Sequence, residues 1–230
     1  MTIRAVLTGV VTVSLTCSAA ATHAGSDPMA RLTRERAAFI ERADREGYRV
    51  CPAPKIELSD PEAFGRFDPE RNTVVVATWS RLTPEQRQRF QSLAEHTAAQ
   101  RSAQATFEDG TYGWVFVHEL GHWWQSCRQL TRPNSYAEEA GANRIALAFW
   151  RKQDPAFAAR MLEVFRYLHG AIPSPLPAGI PKQQYLDDHF LEIGPTRGYT
   201  WYQADMVLEL ATESPEPSFH KALSQPLYPW

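Results

Sequence analysis

The sequence predicts an α+β domain, with a small sheet near its start and a mainly helical C-terminal half. Three observations carry this. The run Thr73–Thr78 (TVVVAT) is short and β-branched. Several later segments open on helix-capping residues. A long stretch from Gly113 to about Arg128 is apolar on nearly every side, as a buried helix must be.

The elements follow in order. From Arg31 to Arg45 the chain is charged and Ala-rich, with Phe39, Ile40 and Ala43 on one helical face, and Gly47 ends the pattern. Lys55–Leu58 is a candidate short strand. The turn-like DPERN then leads into Thr73–Thr78, the clearest strand. Thr83, Pro84 and Gln86 spell a helix start with a capping box. EDGTYG reads as a turn before the buried helix. Further helices are expected from Ser135, from Asp154 with Pro155 next, and from Trp201 to about Thr212. Residues 171–181 (AIPSPLPAGIP) form a Pro-rich linker or a loop over a site, and the tail from ESPEPS to LYPW carries no clear pattern.

The chain has 230 residues, 43% of them hydrophobic, which suits one domain with a sizeable core. A formal net charge of -2 offers no electrostatic footprint for nucleic acid or an anionic membrane. The first residues differ from the rest: Arg4 is the only charge before an apolar run from Ala5 to Leu15, and small residues crowd Ser18–Ala24. This is a signal-peptide pattern, cleaved after Ala21 or Ala24. The run falls short of the roughly 20 residues a membrane-spanning helix needs. Residues 1–24 are therefore expected to be removed, leaving 25–230 as a single periplasmic or secreted domain with no stable membrane insertion. Loss of Arg4 takes the net charge to -3 and leaves Cys51 and Cys127, which in an oxidising compartment suggest one disulfide.

The buried helix contains His118, Glu119 and His122 in the segment HELGH. Histidines four apart share one helix face and can bind a single Zn²⁺, with Glu119 beside the metal as a general base. A chance match to this pattern somewhere in such a chain has a probability of roughly one per cent. A catalytic zinc needs a third protein ligand. The continuation x-x-Gly-x-x-His fails, because Gln125 and Arg128 stand at those positions. Glu139, in the segment AEEAGAN, is a candidate; Glu138 is its rival, although Ser135 and Glu138 also form a capping box. Cys51 is a further rival, since a thiolate with two histidines also makes a zinc site.

With HELGH followed by Glu139, Ala142 and Asn143 (E-x-x-A-N), the chain resembles the gluzincin class of metallopeptidases. The resemblance covers about 30 residues. It implies a zincin-like fold, Glu139 as third zinc ligand and Asn143 as the residue that hydrogen-bonds a zinc-bound imidazole, where many members carry Asp. It also implies a peptide or protein substrate held extended against a sheet edge, for which Thr73–Thr78 is the candidate strand. Tyr199, Tyr202 and His189 are candidate donors to the oxyanion formed during hydrolysis. Trp114, Trp123, Trp124, Trp150 and Trp201 are expected in the core. The expected activity is zinc-dependent peptide hydrolysis. The alternatives are a zinc-binding scaffold without activity and a zinc hydrolase for a non-peptide substrate. Oligomeric state is not legible.

Overall fold

A computed structural model describes residues 27–49, 51–59, 63–97 and 101–228; the expected signal peptide lies outside them. Helix α1 (Pro28–Arg45) starts where Asp27 accepts the Met29 N–H and Pro28 occupies the first turn. Strands β1 (Lys55–Ser59), β2 (Gly65–Asp68) and β3 (Thr73–Ala77) follow. Helix α2 (Pro84–Glu95) carries the full Thr83/Gln86 capping box that its sequence spells. Then come α3 (Ala103–Glu108), a π-helical segment Asp109–Val115, and α4 (Phe116–Cys127). The C-terminal half is α5 (Tyr136–Gln153), α6 (Pro155–Ala171), α7 (Lys182–Ile193), α8 (Arg197–Leu210) and α9 (Phe219–Ser224). The architecture is α+β.

Three local readings are corrected. EDGTYG is no turn: its residues lie in the helical run from Ala103 to Cys127. Gly costs about 1 kcal/mol inside a helix, but Phe107, Tyr112 and Trp114 bury their rings from this run and outweigh that local cost. The tail contains α9, too short to form alone. Ser218 caps it, and Phe219 docks edge-on against Phe39 and Phe149. Strand β2 (GRFD) has little strand propensity of its own and forms by pairing with β3.

The sheet order is β1-β3-β2, with β1 parallel and β2 antiparallel to β3. Thr73–Ala77 is therefore the central, fully buried strand and not the edge that the sequence suggested. Its two neighbours pair its edges, and burial of every residue from Thr73 to Ala77 accounts for the apolar run on both faces. The inner edge candidate is β2, which lies against α4: a Cβ on Gly65 would fall 2.5 Å from Val115 Cγ1 and 3.3 Å from Glu119 Cγ. Only glycine lets this strand approach so closely.

The main core joins α1, the sheet and helices α4, α5, α6 and α9 through Phe39, Val74, Trp123, Phe149, Phe157 and Phe219. All five tryptophans named above are buried. Cys51 and Cys127 are disulfide-bonded, with Cα atoms 5.9 Å apart, tying the end of α4 to the segment before β1. Closing 76 residues of chain stabilises the fold by about 4 kcal/mol on a loop-entropy account. The Pro-rich loop packs on α8, where Pro175 lies against Gly198.

Candidate metal centre

Helical periodicity alone sets His118 and His122 on one face of α4, with ring centroids 4.7 Å apart. Helix α5 then crosses that face at very short range. A Cβ on Gly121 would meet the Ala142 Cα at 2.9 Å, so the glycine of HELGH is what allows the two backbones to touch. That approach delivers Glu139. Its Oε2 lies 3.2 Å from His118 Nε2 and its Oε1 3.6 Å from His122 Nε2. The two Nε2 atoms face each other at 3.0 Å. Neutral imidazole lone pairs so close repel, so a proton or a cation must sit between them.

The outer nitrogens fix how each ring is turned. His118 Nδ1 donates to Asn143 Oδ1 at 3.0 Å, and that same oxygen accepts from the donor-only Trp114 Nε1 at 3.4 Å. The Asn143 amide cannot be turned round, because its Nδ2 donates to Gln203 Oε1 at 2.6 Å. His122 Nδ1 donates to Gln125 Oε1 at 2.9 Å. With both Nδ1 atoms donating outward, both Nε2 atoms are turned toward Glu139. This is how metal-binding histidines are held. Among the described residues, His118, His122 and Glu139 form a group able to hold a metal ion.

Charge supports the same reading. Burial alone would push the His122 imidazole down, but Glu139, with Glu119 behind it, outweighs burial and holds the ring up at about 10. Burial likewise works against the Glu139 carboxylate, yet His122 and His118 keep it well below the usual range. These shifts hold positive charge on His122 against the Glu139 carboxylate. Gln203 Nε2 donates to Glu139 Oε2 at 2.8 Å, and the Tyr199 hydroxyl bonds the same carboxylate.

Glu119 lies beside this group and not in it. Burial pushes its carboxyl up from the ordinary value, while the two histidines pull the other way, and it accepts the Phe67 N–H from β2. Ala77 N–H donates to the Phe64 carbonyl at 3.0 Å. By antiparallel alternation, Gly65 and Phe67 then turn their main-chain groups to the outer edge of β2, toward Glu119.

The rival ligands are separated by geometry. Glu138 accepts the Arg132 N–H and is outside the three-residue group. Only half of the expected capping box forms, the bond from Glu138 N–H to Ser135 Oγ at 3.3 Å. Cys51 is committed to its disulfide. Of the three candidate oxyanion donors, Tyr199 alone bonds a member of the centre. Tyr202 donates to the Lys182 carbonyl at 3.2 Å, and its ring packs against Tyr136 and Trp201. His189 pairs with Glu192 at 3.2 Å where α7 loses helical geometry.

Sequence reading missed Gln125, Gln203 and Phe67. Gln125 had a signal, since position i+3 from His122 is on the same helix face. Gln203 and Phe67 had none, because only tertiary folding brings α8 and β2 to α4. No family model, curated protein or solved structure matches the chain.

Proposed function

We propose that this chain is a zinc-dependent metallopeptidase of gluzincin type, with a zincin-like fold, exported by its N-terminal leader. The observation that carries the reading is the convergence of two Nε2 lone pairs and one carboxylate, both rings fixed by acceptors at Nδ1, with a fourth group, Glu119, buried alongside but uncommitted to the cluster. A site built only to hold a metal has no use for that last carboxylate. The Cys51–Cys127 disulfide supports the exported location, since such bonds persist in oxidising compartments.

His118, His122 and Glu139 would hold the ion. Zinc bound there supplies a Lewis acid and lowers the pKa of an attacking water toward 7. The chain's own residues do the rest. Glu119, its carboxyl raised by burial, accepts the proton of the attacking water and delivers it to the leaving amine. The outer edge of β2 receives an extended peptide by main-chain hydrogen bonds at Gly65 and at the Phe67 carbonyl, beside Glu119. Tyr199 swings its hydroxyl from Glu139 to the oxyanion that forms at the scissile carbonyl.

The test is zinc content together with cleavage of a random peptide library. Wild type should bind one zinc and cut. Glu119→Gln should keep the zinc and lose about 10²- to 10⁴-fold in kcat/KM. Stoichiometric zinc with no peptide cut by the wild type would sink the peptidase reading.

A further inference from the structure

His122 owes its orientation to Gln125, and Gln125 owes its own to the far end of the chain. The Gln125 side chain is fully buried. Its Nε2 donates to the Glu138 carbonyl at 2.8 Å and to the Pro226 carbonyl at 2.7 Å, using both amide hydrogens on groups that can only accept. A flipped amide would point its oxygen at two carbonyl oxygens and its NH₂ at His122 Nδ1. That would turn Nδ1 into the acceptor and place the ring proton on Nε2, where the metal must bind.

The Pro226 carbonyl is seated by specific contacts. It lies on the α5 backbone at Gly141, where a Cβ would come within 2.0 Å of it. Two residues on, Tyr228 N–H donates to the Ala137 carbonyl at 3.0 Å. The Tyr228 hydroxyl bonds Glu213, and the Arg144 guanidinium lies 5.6 Å over its ring while bonding Glu213 at 3.1 Å. Upstream, Trp124 Nε1 donates to the Leu223 carbonyl at 2.9 Å. The segment from α9 to Tyr228 is thus pinned on both sides of Pro226.

We infer that the segment Pro226–Tyr228 is a strap that sets metal affinity by locking the Gln125 amide and, through it, the metal-binding tautomer of His122. The inference rests on the metal reading above. Gln125 acts as a positioning residue, and the strap acts through it.

The experiment is a double-mutant cycle on zinc affinity, measured by chelator competition in the full-length chain. Tyr228→Pro removes the N–H bond to Ala137 and the ring under Arg144 without touching the Gln125 side chain. Gln125→Leu removes the amide. Each should weaken zinc binding about 10- to 100-fold, and the double variant should be no weaker than Gln125→Leu alone. Losses that multiply would overturn the strap while leaving the metal centre standing. A wild type that binds no zinc would overturn both. A second measurement is independent of variant folding: in the zinc-loaded wild type, histidine ¹⁵N spectra should show His122 protonated at Nδ1 and that proton exchanging slowly with water. A proton on Nε2, or fast exchange at Nδ1, rejects the inference.

Discussion

Helices α4 and α5 build the centre, α8 borders it and α7 packs beside α8, and the two pairs are built differently. The first pair meets backbone to backbone at Gly121 and Ala142, and its polar groups His118, His122, Gln125 and Asn143 all have fixed partners. In the second pair α7 is the looser member. Helix α7 breaks its helical geometry at His189 and leaves Leu191 79% exposed. Helix α8 reaches the centre through two side chains, Tyr199 and Gln203. On the proposed reading this difference assigns the work: a metal tolerates little displacement of its ligands, so these would stand on the pair whose backbones touch, whereas Tyr199, which would leave Glu139 to meet a substrate, stands on a helix that reaches the centre by side chains alone.

The comparison breaks most sharply at the ligand. Glu139→Ala should weaken zinc binding by more than about 100-fold, beyond what loss of a mere orienting partner costs, whereas Glu138→Ala should leave it unchanged. Chelator competition measures both, and the reverse ranking would reassign the ligand.

On the α8 side, Tyr199→Phe should lower kcat about 100-fold with zinc affinity held within a few-fold, as expected for one oxyanion donor. If metal affinity falls and turnover of the loaded enzyme does not, Tyr199 belongs with the rigid half.

The charge stored in the centre gives the third contrast. The metal-free His122 holds its proton up to about 10, so zinc must displace that proton at any lower pH. Apparent affinity should therefore rise about tenfold per pH unit between 6 and 8. The same raised value means that His122 stabilises the zinc-free fold below its unfolded pKa near 6.5, and that this contribution is lost as pH rises through about 10. Calorimetric titration of zinc across that range checks the slope, and a flat profile contradicts the ion pair.

The smallest effect expected is on packing. Gly121→Ala drives a methyl into the Ala142 backbone and should cost about 1 to 3 kcal/mol in thermal or denaturant unfolding. A neutral result would show that α4 and α5 have room to part.

The sequence by itself determined what depends on neighbours along the chain. His118, Glu119 and His122 come from one helical turn, and Thr83, Ser135 and Asp154 cap their helices as their local patterns require. The central strand was legible from its β-branched run, but its place in the sheet was not, because residues buried on both faces look alike in any buried strand. Glu139 stood out from Glu138 through a resemblance and through the capping box that Ser135 offers Glu138, and the crossing of α5 at Gly121 is what brings Glu139 to the two imidazoles in space. Tyr199, Tyr202 and His189 are equally plausible donors in one dimension. The rotation of α8 and the break in α7 separated them. Gln203, Phe67 and Pro226 meet Glu139, Glu119 and Gln125 from 64, 52 and 101 positions away respectively. Such contacts are products of packing, and no local pattern encodes them.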